Sequence, residues 1–412
     1  MITGIATGVS VQNSGLDQAS IATIVSYIKP IGDVFLRMIF MMVIPLIMSG
    51  LALGVADLGS LRKVGRIGWR TLTYTVLVSA MSVLLGIALV TIFNPGGDIS
   101  AQDRQLLVEK YRAPTAGVAQ TALAGRSIGD ILSTIVPKNP FEDMVRAFDP
   151  TYSGGGLLAI MFFTLMIGMA MTVCNPEKVK TFRNFLEGLY EVTMKVIDFG
   201  MRMAPIGVAA LLFTLTASFG FSMIAVLLRF VLVVLLALSI HQFVTYSLLL
   251  KFLGKMSPVF FFKNIGEVMT TAFSTSSSNA TLPTALRVTI EKLKVPRDIS
   301  QFVLTIGSTA NQNGTALYEG VTVLFLAQCF GIHLDLAQQI LVILLSVLGG
   351  VGTAGVPGGS LPIIAMILTT VGIPAEGIAI IYGVDRLLDM SRTVLNVTGD
   401  MTAAVYVSRA QT

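Results

Sequence analysis

Long apolar runs alternate with short polar or basic connections along this chain. An apolar run of about 20 residues spans the ~30 Å hydrocarbon core of a bilayer as an α-helix. Such spans are expected near 34–56, 71–93, 157–173, 196–216, 223–250 and 303–330, with a last one at about 372–408. Residues 1–9 are apolar but too short to cross, and read as the end of a longer first helix. No basic stretch precedes them, so they do not resemble a signal peptide.

Two further segments are apolar at both ends and broken in the middle. The first, 258–292, is interrupted by Ser274, Thr275, Ser276, Ser277, Ser278 and Asn279; the second, 336–371, is interrupted by the glycine-rich run 349–359. Each half is too short to span a bilayer, so each segment is expected to enter and leave on the same side. A non-helical backbone at membrane depth is tolerated only where it is buried in protein or lines a cavity. Half-helix N-termini and unpaired carbonyls at such tips suit anions and cations. The span at 303–330 is interrupted as well, by Asn311, Gln312, Asn313, Gly314 and Thr315, with Glu319 one turn further on. Amides, a glycine and a carboxylate in mid-membrane predict an unwound ion site.

The last span carries Asp385, Asp389, Arg392, Thr393, Asn396 and Asp400, in steps of three and four residues. On a helix they form one stripe. Each ionisable group at membrane depth costs at least ~3 kcal/mol, so this stripe must face protein partners, a solute or an ion path. Asp389 and Arg392 could instead neutralise each other as a structural pair. A pair alone does not account for the hydroxyl and amide on the same stripe.

Charge gives the orientation. Arg62, Lys63, Arg66 and Arg70, then Lys178, Lys180 and Arg183, then Lys251 and Lys255 fall in alternate connections, which the positive-inside rule places in the cytoplasm. Connections 331–338 and 372–377 contain no Lys or Arg and are expected outside, as is the long connection 94–152. Lys263 before the serine-rich break and Arg287, Lys292, Lys294 and Arg297 after it make the first broken segment a hairpin entered from the cytoplasm. The second enters from outside.

Composition agrees: 54% of residues are hydrophobic and only 12% charged, where soluble domains carry about a quarter charged residues. Mean hydropathy is +0.79. The net charge of +5 is not a nucleic-acid signal, because the basic residues sit in short connections without interleaved aromatics. Cys174 and Cys329 have neither metal-ligand nor redox spacing, and His241 and His333 are too few for a histidine metal centre, so no cofactor is expected. An intramembrane hydrolase built on the serine cluster would need a base; no His or Lys lies beside 274–278, and there is no HExxH pattern. The chain is not expected to be an enzyme.

Four motifs in order then carry a specific resemblance: TSSSNATLP from Thr275, NQNGTALYEG from Asn311, GTAGVPGG from Gly352 and DMSRTVLNVTGD from Asp389. With PIGDVFLRMI from Pro30 and IVPKNPF from Ile135, the chain from about Tyr27 onward resembles the glutamate/aspartate transporters, also called dicarboxylate/amino acid:cation symporters. The resemblance implies an all-α polytopic membrane protein with eight transmembrane helices and two re-entrant helical hairpins, a homotrimer working by an elevator mechanism. Residues 1–70 (helices 1–2, the first incomplete) and 96–220 (the extracellular loop and helices 4–5) would form the scaffold. Helix 3 at 71–95 and the core at 221–412 (helix 6, hairpin 1, helix 7, hairpin 2 and helix 8) would form the moving transport domain.

It also implies roles. The substrate's side-chain carboxylate would meet Arg392, its ammonium Asp389, and its main-chain carboxylate Ser278, Thr315 and Asn396, with Thr393 and the backbones of Ser276 and Val356 completing the pocket. A guanidinium suits a carboxylate in a bidentate pair, and a lone aspartate suits an ammonium. One sodium site is partly retained at Gly307, Asn311, Asn396 and Asp400; another would rest on backbone carbonyls near Thr309, Gly350, Val351 and Thr353. The deep sodium site of sodium-coupled prokaryotic members is matched by Thr75, Val78, Ser79 and Asn313, without the carboxylate and with an alkyl group for one hydroxyl. Glu319 matches the proton carrier of the animal transporters. The substrate-side arginine found in other members is Ser276 or Met390 here, and whether Arg386 substitutes for neither or for both is left open by the residues.

The sequence therefore predicts a secondary active symporter for L-glutamate and L-aspartate, coupled to protons, in a bacterial cytoplasmic (inner) membrane. Its partners would be an acidic amino acid, membrane lipid and further copies of the chain, not nucleic acid. Sodium or mixed coupling and C4-dicarboxylate transport are the alternatives. A ligand-gated anion channel is the rival class, and accumulation against a gradient separates it from a symporter.

Overall fold

The computed structural model describes residues 2–56, 66–111, 136–147, 156–352 and 358–409, and among them it is helical with no strand. In chain order the helices are α1 (Ile2–Gln12), α2 (Gln18–Phe40), α3 (Val43–Leu46, running on through a π-helical turn at Ile47–Leu51), α4 (Arg66–Phe93), α5 (Ala101–Tyr111), α6 (Pro140–Val145) and α7 (Gly156–Val173). Then follow α8 (Pro176–Phe219), α9 (Phe221–Ile240, with a π-helical turn at His241–Thr245), α10 (Tyr246–Phe252), α11 (Pro258–Thr275) and α12 (Ser278–Glu291). The last are α13 (Arg297–Ala310), α14 (Asn313–Phe330), α15 (Leu336–Gly352), α16 (Leu361–Thr370) and α17 (Ile378–Arg409).

Stretches Ala19–Ala56, Ile67–Phe93, Arg202–Phe219 and Met223–Phe252 are long and apolar enough to cross a bilayer. Ala159–Val173, Leu336–Val351 and Leu361–Thr370 are apolar but shorter. Large apolar side chains point outward on several of these, including Leu77, Met81 and Leu84 on α4 and Leu228, Leu232 and Leu236 on α9. A solvent of lipid leaves such rows without penalty.

Elements differ from expectation in their boundaries. The basic residues Lys178, Lys180 and Arg183, expected in a connection, lie inside the 44-residue helix α8. The chain turns just before it, where the Asn175 side chain caps Glu177 N–H and Pro176 takes the first helical position. The serine-rich break narrows to two residues. α11 runs through Thr275, Ser276 takes a left-handed conformation at φ 50°, and Ser277 caps α12 by accepting from Ala280 N–H. Gly349 and Gly350, expected at the second break, are still helical within α15. There a Cβ on Gly350 would crowd Ala316 Cβ at 3.3 Å, so the small residue serves close helix packing on α14.

α14 is the buried axis of the molecule, with almost every side chain out of contact with solvent. α4 packs closely along it, and α17 lies against α9, α11, α12, α13 and α14. The members of each broken pair, α11 with α12 and α15 with α16, also pack on one another. α1 and α2 pack on α8. The charged stripe of α17 is thereby enclosed by helices on several sides.

Candidate functional site

The centre of the site is Arg392, one of the largest fully buried side chains of the protein. Its Nη2 and Nε lie 2.8 and 3.0 Å from Asp389 Oδ1, and its Nη1 lies 3.5 Å from Asp385 Oδ1. Tyr318 on α14 also approaches the guanidinium, its ring centroid 4.6 Å from the guanidinium carbon and its hydroxyl donating to Asp385 Oδ1 at 2.9 Å. The second Asp389 oxygen accepts from Gly358 N–H at 3.1 Å and faces Arg386 Nη1 at 3.9 Å. Thr393 donates its hydroxyl to the Asp389 carbonyl one turn back, at 2.8 Å. The cluster ties the last helix to Gly358, near the end of the glycine-rich run.

One turn further along α17, Asn396 ties the stripe to the interrupted span. Its Oδ1 accepts from Gly314 N–H at 2.7 Å, and its Nδ2 donates to Gln312 Oε1 at 2.5 Å and Thr315 Oγ1 at 3.1 Å. The interruption is Asn311 and Gln312, between α13 and α14, so Asn396 meets the first turn of a helix, where backbone N–H groups lack intrahelical partners. Gly314 is required here, since a Cβ would press on the Arg392 carbonyl at 2.6 Å.

The next turn holds Asp400. Asn311 Nδ2 donates to its Oδ1 at 2.8 Å, and Gly307 lies so close that an added Cβ would collide with that oxygen. Asn311 Oδ1 is buried and makes no hydrogen bond. A carboxyl group beside an unpaired amide carbonyl oxygen offers oxygen donors of the kind a small hard cation takes. The structure brings Gly307, Asn311 and Asp400 together, whereas the Asn396 side chain is committed to Gly314, Thr315 and Gln312. No group of three or more His, Cys, Asp and Glu capable of holding a metal ion occurs among the described residues.

Asn313, at the position expected to be a degenerate deep cation site, is saturated. Ser79 donates to its Oδ1 at 2.6 Å, Ser82 to its backbone carbonyl at 2.8 Å, and its Nδ2 donates to the Tyr246 hydroxyl at 3.0 Å. Thr75 and Val78 are buried nearby on α4. Glu319 is fully buried on α14, beside Tyr318 in sequence and packed on the second broken pair, where a Cβ on Gly349 would stand 2.7 Å from its Oε2. Ser276 and Ser278 are buried at the tip between α11 and α12, and their hydroxyls make no hydrogen bond. The two helices that meet at this tip both pack on α17. Val356 lies outside the described residues.

Known proteins decide the family. The profile of the sodium:dicarboxylate symporter family matches residues 1–410. This chain belongs to that family. It is 36% identical over 384 residues to the proton/sodium-glutamate symport protein of Bacillus subtilis (strain 168), covering 93% of this chain and 86% of that one. It is 34% identical to the proton/glutamate-aspartate symporter of Escherichia coli (strain K12), over 94% and 86% of the two chains. It is 28% identical to the C4-dicarboxylate transport protein of Bacillus subtilis, over 93% and 87%.

Three partners in this symporter's site escaped the sequence reading. Tyr318 and Gln312 come from another part of the chain than the stripe they touch, and periodicity on one helix cannot pair them. Gly358 acts through its backbone, which leaves no side-chain signature. Asp385 was visible on the stripe, but its bond from Tyr318 and its place beside Arg392 depend on how α14 packs on α17.

Proposed function

We propose that this symporter carries L-glutamate and L-aspartate into the cell, and that the uptake is driven by protons. The observation behind the proposal is the buried Asp389–Arg392 pair, which has Gly358 N–H on one side and Tyr318 and Asp385 on the other. A substrate with an ammonium and two carboxylates can exchange partners with such a pair. Its carboxylate takes the guanidinium in a bidentate bond while its ammonium takes Asp389, so each member of the pair keeps a charged partner. Ser278, Thr315 and Asn396 would serve the main-chain carboxylate, with Thr393, Ser276 and Val356 around it.

The charge balance then calls for a cation. With Arg386 counted, the two aspartates and two arginines of the cluster balance, and an acidic amino acid brings one net negative charge. Moving that assembly through low-dielectric surroundings is costly unless positive charge travels with it. Glu319 is our choice of proton carrier, being buried, titratable and next to Tyr318. The saturated Asn313 network offers a sodium ion neither a carboxylate nor a free side-chain oxygen. Sodium coupling is the second reading, favoured by Asp400 and the unpaired Asn311 oxygen.

Family resemblance supplies the remaining proposals. They are eight spanning helices with two re-entrant hairpins, a homotrimer in the bacterial cytoplasmic membrane, and an elevator movement of 71–95 and 221–412 against 1–70 and 96–220. The close packing of α4 on α14 favours grouping 71–95 with the carrying half. Uptake of radiolabelled glutamate and aspartate into proteoliposomes, with proton and sodium gradients imposed independently, tests the reading. Accumulation on an inward proton gradient without sodium is expected. A conductance without accumulation would replace the symporter with an anion channel.

A further inference from the structure

Arg386 is the one charged side chain touching the Asp389–Arg392 cluster to which the reading above gives no task. It precedes Asp389 by three residues, as Arg392 follows it by three, so the two guanidiniums flank one carboxylate on the same face of α17. They hold it differently. Arg392 is buried and takes Oδ1 with two nitrogens at 2.8 and 3.0 Å; Arg386 reaches Oδ2 loosely, at 3.9 Å, from a side chain 50% exposed where that of Asp389 is 5% exposed. The only other contact to Oδ2 among the described hydrogen bonds is Gly358 N–H at 3.1 Å.

We propose that Arg386 is a specificity-determining residue: it occupies the ammonium position on Asp389 when no amino acid is bound, and withdraws when one binds. The proposal rests on Asp389 receiving the substrate ammonium, as argued above. An ammonium needs an open approach to a carboxylate oxygen, and before substrate engages Arg392 the Oδ1 oxygen is committed to that guanidinium. Oδ2 is the oxygen that can be vacated, because its second cation is long, loosely held and already half in solvent. A buried carboxylate left without that cation would be under-compensated, so the same contact keeps the empty site in order. A dicarboxylate without an amine has nothing to place on Oδ2 and leaves Arg386 where it is. Binding an amino acid therefore costs the displacement of one half-exposed ion pair, which such pairs make small.

Calorimetric titration of the purified full-length protein and its Arg386→Met and Arg386→Lys variants with L-aspartate and with succinate tests this. Arg386→Met is expected to bind L-aspartate about two- to fivefold more tightly, the range a half-exposed pair allows, with no tightening toward succinate. Arg386→Lys, which keeps a displaceable cation, is expected to stay close to the parent for both. A simple loss of one positive charge would weaken both anions, succinate more, and that result overturns the proposal, as does unchanged L-aspartate affinity in Arg386→Met. If the parent protein binds neither L-aspartate nor L-glutamate, the transport reading fails first. If it binds them and Arg386→Met gains nothing, only the role of Arg386 fails.

Discussion

Tyr318 holds Arg392 by two contacts: its ring centroid lies 4.6 Å from the guanidinium carbon, while its hydroxyl donates to Asp385, the more distant of the two acidic partners of that arginine. One side chain on α14 thus fixes both the plane of the cation and the position of a counter-charge. Preorganised in this way, the guanidinium can meet a carboxylate bidentately without first finding its orientation.

Separating the two contributions is straightforward. Tyr318→Phe keeps the ring and removes the donor to Asp385, which should cost about 1–3 kcal/mol of stability because the carboxylate oxygen stays buried. Tyr318→Leu should cost about 0.5–2 kcal/mol more through the lost cation–π contact. Thermal unfolding in detergent, read by tryptophan or dye fluorescence, should rank parent above Phe above Leu. Equal midpoints for all three would remove Tyr318 from the site.

Arg392→Cys should abolish uptake of acidic amino acids, with a gain of neutral ones such as serine. Loss of a buried charge-assisted pair costs about 3–5 kcal/mol, or about 150- to 5,000-fold in affinity. Competition of unlabelled glutamate and serine against a labelled substrate gives the answer, and an unchanged glutamate affinity would rule out the role.

How far the sequence foretells such a site depends on whether the residues speak locally. The α17 stripe is legible because Asp385, Asp389, Arg392, Asn396 and Asp400 repeat at helical spacing in an apolar context that makes each one expensive. The unwound step at Asn311 and Gln312 is legible for a related reason, polar amides where a helix should be apolar. The width of the breaks is not. Serines start helices as readily as they interrupt them, and Ser277 does so by capping α12. Glycines serve close packing as often as bending: Gly349 and Gly350 stay helical against Ile363, Glu319 and Ala316. Nothing in the basic triplet of α8 distinguishes a loop from the first turns of a long helix; Asn175 and Pro176, just before it, carry that signal.

Asp389→Asn separates an ammonium receptor from a structural ion-pair partner. As a receptor, the change should weaken binding of L-aspartate by at least about tenfold, the equivalent of ~1.4 kcal/mol, and leave succinate much less affected. Equal losses for the two ligands would point to a structural pair. The comparison needs only equilibrium binding, so a transport defect does not obscure it.

Gly307 offers a test of the cation side. A methyl group there collides with Asp400 Oδ1 and must push the carboxylate off Asn311. Overpacking of this kind costs about 1–3 kcal/mol, so Gly307→Ala should unfold at a lower temperature than the parent. Any protection of the parent by added sodium should also disappear in the variant. Sodium protection that survives intact would place the ion elsewhere.

The driving ion turns on Glu319. Its carboxyl is fully buried on α14, one turn past Thr315, while the Asn313 position that would serve a deep sodium ion is tied up by Ser79, Ser82 and Tyr246. A carrier of protons must be neutral while it crosses and must exchange its proton where water reaches it. Replacing Glu319 by Gln locks in the neutral form. The variant should therefore still bind glutamate and exchange it across a proteoliposome membrane, since exchange needs no net proton movement. Net uptake should lose its response to an inward proton gradient, with accumulation falling to the exchange background. Removing sodium should do little to the parent protein. Strong accumulation by the parent on a sodium gradient alone, at equal pH on both sides, would overturn proton coupling and move the role to the Asp400 and Asn311 site.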